Sequence, residues 1–374
     1  MKINVYCKNI DRKLEVEAGC SLAEIARSLG DKLPFDPICC RVNNKTEALD
    51  FVLYQPKLIE FQDKTAGSGP RVYTRSLCMM LYRAVAELLP GTQLTIEHSI
   101  AHGYYCRLGG YTSVSQEVVD RLLAYMHALV DRDLPFERHQ DLTAEVCAIF
   151  ESQGLVSKAR LLRTIRELYT TYYTLDGISD SYYGALAPST AHIDVFNLLP
   201  YKEGFLLMPF DPADPSRVAM PIEQEKMYKA FTDYLQFNHI VGVSDVGELN
   251  TYVQHHRAAD LINVAEAMHN KLLGRISDEI ASRHRRGEAS LIMLAGPSSS
   301  GKTTTCKRLA VQLMTNMMSP KMISLDDYFV NRVHTPLDAD GNYDYESLYA
   351  LDLKQFNQDL NDLLAGREIN LPTY

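Results

Sequence analysis

The residues with the clearest chemistry lie at 296–304, Gly-Pro-Ser-Ser-Ser-Gly-Lys-Thr-Thr, a full GxxxxGK[ST] pattern. Gly296 and Gly301 let the backbone curl so that its N–H groups turn inward, toward the oxygens of a phosphate. The amides of Pro297, Ser298, Ser299 and Ser300 form the turn, proline supplying only its carbonyl. Lys302 is placed to reach the β- and γ-phosphates, and the Thr303 hydroxyl to sit on Mg²⁺, with Thr304 following in the first helical turn. Such a loop needs a strand before it and a helix after it. Ser290–Ala295 is a short apolar run that predicts a buried parallel strand. Cys306, Leu309, Ala310, Leu313 and Met317 then carry a helical period, so residues 290–317 read as a strand–loop–helix unit that holds a nucleoside triphosphate with Mg²⁺. A second strand is expected at Lys321–Leu325, followed by Asp326 and Asp327. A carboxylate at that strand end could take a proton from an acceptor hydroxyl or bind Mg²⁺.

The rest of the chain must position this loop or serve another purpose. Its 374 residues suffice for two or three domains. The net charge of −9 gives no bulk attraction to nucleic acid or to anionic membrane. No apolar run approaches the ~20 residues that span a bilayer. The first residues read as a strand and not as a signal peptide, and the eight cysteines show no CxxC pair. Both favour reduced thiols and a cytoplasmic location.

The pattern along the chain predicts a multidomain α+β and α/β protein. Residues 1–62 read as a small α+β unit. It has alternating strands at Ile3–Cys7 and Leu14–Val16, and a helix from Ser21 to Leu29 with Ser21 as N-cap and Gly30 as C-cap. Further strands are expected at Ile38–Val42 and Leu58–Phe61. Asp63–Pro70 reads as a linker. Residues 71–235 are mixed. One helix is expected from about Thr74 to Pro90, one through Val118–Val130, and a third carrying Leu161, Leu162, Ile165, Leu168 and Tyr169. Strands are expected at Leu94–Ile96 and Gly204–Met208. Residues 236–287 connect, with one long helix over 258–286 whose stripe is Leu261, Ala265, Met268, Leu272, Ile276 and Ile280. Its basic end, Arg283 to Arg286, reads as a solvated helix terminus rather than a nucleic-acid patch.

From residue 288 onward the sequence resembles the uridine kinase and phosphoribulokinase family. The blocks that carry the resemblance are the 296–304 loop, Ser324-Leu-Asp-Asp-Tyr-Phe329, Asp340-Gly-Asn-Tyr-Asp344-Tyr and Gly366-Arg-Glu-Ile-Asn-Leu-Pro-Thr-Tyr374. The resemblance implies the N-terminal part of a P-loop kinase domain over 288–374. It implies ATP and Mg²⁺ as cofactors, Asp326 with Lys302 as catalytic residues, and Asp344 on the ribose of a nucleoside. Tyr328, Phe329 and Tyr374 would then line the nucleoside pocket. The expected activity is phosphoryl transfer from ATP to a nucleoside hydroxyl. A sugar-phosphate acceptor is the alternative within the family, with Arg332 and His334 the basic residues near Asp326. The chain stops within the fourth block, which implies a truncated form with weak nucleotide binding and poor turnover.

The first 235 residues resemble the N-terminal part of threonyl-tRNA synthetase: a β-grasp TGS domain over 1–62 and its editing domain over 71–235. Leu89-Pro-Gly-Thr92, Gly103-Tyr-Tyr105 and Asp180 through Pro188-Ser-Thr190 fall in that family's order. The family's HxxxH and CxxxH pairs fall here on Arg75 and Met79, and on Tyr182 and Leu186. Arginine offers only donors, so no zinc site is expected and deacylation of mischarged tRNA is not implied. The whole architecture resembles fused bacterial nucleoside kinases. A second class of function is an RNA- or tRNA-binding regulatory protein whose P-loop acts as a nucleotide-controlled switch.

Two histidine patterns invite a metal reading. His98-Ser-Ile-Ala-His102 is an HxxxH string with Cys106 four residues on. Leu94–Arg107 reads as extended, which would hold i and i+4 roughly 13 Å apart. Both histidines, and the adjacent pair His255-His256, are therefore expected to be structural or surface residues.

Overall fold

The computed structural model describes residues 1–372. The chain is multidomain and mixed α/β, in two compact units, Met1–His256 and a second that begins at Arg257.

The first unit opens on a hairpin of β1 (Lys2–Cys7) and β2 (Arg12–Glu17). There follow β3 (Cys20–Ser21), α1 (Leu22–Leu29), β4 (Cys39–Val42), β5 (Lys45–Glu47), β6 (Val52–Leu53) and β7 (Leu58–Gln62). The sheet order is β2-β1-β7-β4-β5, with β1 and β7 parallel and the other pairs antiparallel. α1 lays Leu22, Ile25 and Leu29 into a core shared with Ile3, Val5, Ile59 and Phe61. A capping box starts it: Glu24 N–H donates to Ser21 Oγ at 3.2 Å, and Ser21 N–H donates to the Glu24 carboxylate at 2.7 Å. Ser21→Ala removes one half of that exchange. It should cost about 1 kcal/mol, read as a lower urea midpoint followed by circular dichroism.

α2 (Gly69–Leu88) begins five residues before the expected start, inside the segment read as a linker. Pro70 sits in its first turn, where the missing N–H has no helical acceptor to lose. After it come β8 (Leu94–Ile100), β9 (Gly103–Leu108), α3 (Gln116–Asp131), β10 (Glu137–Leu142), α4 (Thr143–Ser152) and α5 (Val156–Thr164). Next are β11 (Tyr169–Leu175), β12 (Ile178–Asp180), β13 (Asn197–Tyr201), β14 (Gly204–Met208), β15 (Phe210–Asp211) and β16 (Asp214–Val218). α6 (Glu225–Val241) and α7 (Val246–Gln254) complete the unit. The expected helix through Tyr169 ends instead at Thr164: Ile165 is extended, and Tyr169 pairs with Leu142 across β10 and β11.

The main sheet runs β13-β14-β9-β8. Every residue of β14 is buried, because both faces are covered. Phe205 and Leu207 join the core formed with α2 and α3, while Leu206 and Met208 face a smaller core that includes Tyr228 of α6. The smaller sheet, β10-β11-β12, is backed by Val146, Cys147 and Phe150 of α4 and by Ala159 and Leu162 of α5.

The second unit holds α8 (Ala258–Arg285), α9 (Lys302–Thr315) and α10 (Leu353–Leu364). On α8 the buried stripe is Leu273, Ser277 and Ala281, one residue further along than the expected Leu272, Ile276 and Ile280. Small residues let α9 approach, and Asn316 donates to Ser277 Oγ at 2.9 Å. Among the described residues this unit forms no β-strand, so the parallel strands expected at Ser290–Ala295 and Lys321–Leu325 are absent. Such strands need neighbours to satisfy their backbone and layers on both faces, and none pair here. Leu291, Ile292 and Leu294 are instead exposed. They line an open groove of about 680 Å³ shared with Leu309, Leu313 and Leu363. Among the described residues, no helix is long and apolar enough to cross a membrane.

Candidate functional site

The loop Gly296–Gly301 leads directly into α9, whose N-cap is Gly301 in the left-handed region (φ 81°). Ser299 is also left-handed (φ 58°). At Gly296 an added Cβ would lie 2.8 Å from Ser300 Oγ, so a side chain there would make the Ser300 hydroxyl turn away. Ser300 N–H donates back to Pro297 O at 3.3 Å, and the Lys302 ammonium folds over the loop to the same carbonyl at 3.0 Å. Thr305 N–H donates to Gly301 O at 2.9 Å. The amides before it, at Lys302, Thr303 and Thr304, belong to the turn in which helical N–H groups lack helical acceptors. No acidic side chain lies in that turn, and the helix dipole adds positive potential. Ser298, Lys302, Thr303 and Thr304 are all exposed. The donor set fits a phosphate chain, with Thr303 the hydroxyl available to its Mg²⁺.

The other expected site residues are arranged differently. Asp326 is exposed on a short turn, its N–H held by Ser324 Oγ at 3.3 Å. Among the described residues no ion pair joins it to Lys302. Asp344 accepts from Glu346 N–H at 3.1 Å, which spends one carboxylate oxygen on its own turn. Tyr328 is a core residue here, not a pocket wall. It is 2% exposed, packs edge-on against Phe356 and donates its hydroxyl to Asp359 at 2.9 Å. Burial, and then the Asp359 acceptor, push that phenol up to about 12. Phe329 is half-buried and bridges Leu351. Tyr374 lies outside the described residues. The basic run closing α8 is drawn to nearby carboxylates, Arg283 to Glu279 and Arg286 to Glu288, both at 2.6 Å.

In the first unit, Arg75 donates to Ala185 O at 3.0 Å, next to Leu186. A Cβ at Gly184 (φ 129°) would fall 2.6 Å from the Arg75 guanidinium, so glycine makes room for the arginine. Met79 and Leu186 are buried in the main core, and Lys158 lies over the Tyr182 ring at 5.2 Å. The four positions therefore pack as core, cation and backbone, a donor set that does not suit a divalent metal. Among the described residues no cluster of three or more His, Cys, Asp and Glu could hold one.

The histidine string is not one extended segment. The strand breaks at Ala101 and His102, both left-handed, to make the β8–β9 turn. His102 Nδ1 meets Met220 O at 3.1 Å, Cys106 faces the α2 core, and His98 stacks on Phe231 at 3.9 Å. The three side chains do not converge. His255 and His256 are exposed at the end of α7. Sequence reasoning missed the pair of Lys158 with the buried Asp180, and the burial of Glu97 beside His98. Both depend on which strand faces are covered, and the polar residue types alone carry no such signal.

No protein-family model matches the chain. Curated relatives are threonine–tRNA ligases. That of Carboxydothermus hydrogenoformans is 29% identical over 180 residues, 47% of this chain and 28% of the relative. That of Rubrobacter xylanophilus is 27% identical over 187 residues, 50% of this chain and 29% of the relative. That of Halorhodospira halophila is 29% identical over 176 residues, 47% of this chain and 28% of the relative. The chain thus matches less than a third of the length of these relatives. The finding overturns the expected nucleoside kinase, with its ATP-to-nucleoside transfer and its nucleoside or sugar-phosphate acceptor. The relatives are ligases acting with tRNA, and the strands that would frame a kinase pocket are not formed. What stands is the likeness to threonyl-tRNA synthetases over about half the chain.

Proposed function

We propose that this chain is an RNA-binding regulatory protein, that its first unit engages tRNA, and that Gly296–Thr304 hold ATP with Mg²⁺ as a controlling ligand. The observation that carries the reading is the likeness to threonine–tRNA ligases over about half the chain. The phosphate-shaped loop supports the second element. Lys302 supplies charge, the α9 amides supply donors and Thr303 supplies a metal-facing hydroxyl. Gly296 and Gly301 allow the backbone its close approach. With a net charge of −9, attraction to RNA must come from local cations. Arg71 and Arg138 suit that role, since both are exposed and among the described residues neither meets a carboxylate within ion-pair distance.

The test is retention of bulk tRNA by the full chain on a filter, with and without ATP and Mg²⁺. Binding should be measurable at about 50 mM salt and fall roughly 10- to 100-fold by about 200 mM, as two to four phosphate contacts imply. Nucleotide should change the affinity severalfold. No retention at low salt would remove the RNA element, and retention indifferent to nucleotide would remove the switch.

A further inference from the structure

The outer face of the β13-β14-β9-β8 sheet carries an unusual polar cluster beneath α6. β8 shifts register between Ile96 and Ser99, and the extra residue turns both Glu97 and His98 inward. The Glu97 side chain is 7% exposed and that of His98 12%. Glu97 Oε2, His98 Nε2 and Tyr201 Oη are the buried side-chain atoms without a hydrogen-bond partner among the described residues. Buried polar atoms left this way are costly, and all three lie around one interface.

That interface is thin. Tyr228 is the one buried residue of α6. It donates to Glu203, touches Tyr105 Oη at 3.4 Å, and has Lys202 above its ring. Lys202 also pairs with Glu225, and Gln224 accepts from Ala101 N–H at 2.8 Å. The remaining anchor is Phe231, stacked on the His98 ring at 3.9 Å and 22°.

We propose that α6 is held by a proton-linked latch, docked while the His98 imidazole is neutral and released when it takes a proton. The groups facing His98 explain the direction. From β9, Tyr105 packs beside the ring, and Arg107 draws Glu97 Oε1 to 3.4 Å. From the β13–β14 turn, the Glu203 carboxylate is already engaged by Tyr228 and Tyr105. From α6, Glu225 is committed to Lys202. Glu97 Oε2 lies 3.9 Å from His98 Nδ1, too far for a hydrogen bond. A proton on Nε2 therefore has no acceptor while α6 is docked. Attraction between a cationic ring and the Phe231 face does not replace that acceptor or the lost water. Once α6 lifts, water reaches Nε2 and the ring is free to turn toward Glu97.

Burial lowers the His98 pKa from its ordinary 6.5. A group with a depressed docked-state value and a cationic acid form adds to docking above its free value. That contribution is lost as pH falls below it. Glu97 moves the other way, raised by burial against the pull of Arg107, so its protonation at low pH favours the docked state and opposes release.

The experiment is hydrogen exchange of the full chain, following amides 225–241 from about pH 7.5 to about pH 5 with intrinsic rates divided out. Opening of α6 should rise about tenfold per pH unit below about 6.5. His98→Phe should abolish the dependence and keep α6 protected at the acid end, whereas Glu97→Gln should retain it. Unchanged protection in the wild type overturns the latch. So does a dependence that survives His98→Phe or vanishes in Glu97→Gln. Should His98→Phe fail to fold, the wild-type imidazole resonance decides. Titration of His98 below the ordinary range, in step with α6 exchange, supports the latch; an ordinary titration overturns it. The inference does not depend on RNA or nucleotide binding.

Discussion

Lys302→Ala should weaken binding of ATP with Mg²⁺ by roughly 10- to 150-fold. A hydrogen bond to a charged group is worth about 1.5–3 kcal/mol, and each ~1.4 kcal/mol is tenfold in affinity. In the structure the ammonium rests on Pro297 O at 3.0 Å. Entry of a triphosphate exchanges that neutral acceptor for charged oxygens at little rearrangement. Alanine and lysine are both good helix formers, so α9 survives the change and circular dichroism should not move. Calorimetric titration reads the loss directly. An affinity within twofold of wild type would mean that the loop does not cradle the phosphates, whatever its motif. Because nothing in this measurement involves an acceptor or RNA, it tests the loop separately from the rest of the proposal.

The legible parts of this fold are those decided locally. Ser21 announced the start of α1, and Gly30 its end, because a cap is settled within one turn. The strand Gly204–Met208 was legible to the residue because a turn precedes it and a proline follows. The apolar run at 290–295 was misread for the opposite reason. Its composition suits a buried strand, but strand formation depends on partners elsewhere, and none pair with it. The stripe of α8 was off by one because the close approach of α9 selected Ser277 and Ala281 over larger neighbours. Continuing α5 through Tyr169 failed because the pairing with β10 overrode a helical period. In the loop before α9, the turn itself was legible, because a left-handed position such as Gly301 is encoded in residue type. The burial of Tyr328 was not, because it depends on Asp359 and Phe356, some thirty residues on. The kinase expectation failed at the level of analogy. A short glycine-and-lysine motif does not specify a reaction, nor what would receive a phosphate.

Tyr73→Phe should destabilise the first unit by about 2–4 kcal/mol, a large effect for the loss of one oxygen. Tyr73 is fully buried on α2. Its hydroxyl donates to Val195 O at 2.8 Å and accepts from Val195 N–H at 2.8 Å. The backbone of Val195 lies just before β13, outside any ladder, so this one hydroxyl satisfies both of its polar groups. Phenylalanine keeps the ring and its edge-on contact with Phe210 at 4.9 Å, which leaves hydrophobic burial almost unchanged. The cost is thus the desolvation of an unpaired N–H and C=O, about 1–3 kcal/mol each, reduced by whatever the segment recovers through relaxation. Tyr172→Phe is the control: Tyr172 is itself buried, but its hydroxyl donates at 2.8 Å to the half-buried Asp141 carboxylate, a side chain that water still reaches when the hydroxyl is gone. That change should cost less than about 1 kcal/mol. Urea unfolding of both variants, with the slope against denaturant unchanged, separates the two cases. Equal losses would show that water reaches Val195 and that α2 is not tied to β13 through Tyr73. A loss confined to Tyr73→Phe would establish the hydroxyl as the link that holds the long helix against the main sheet.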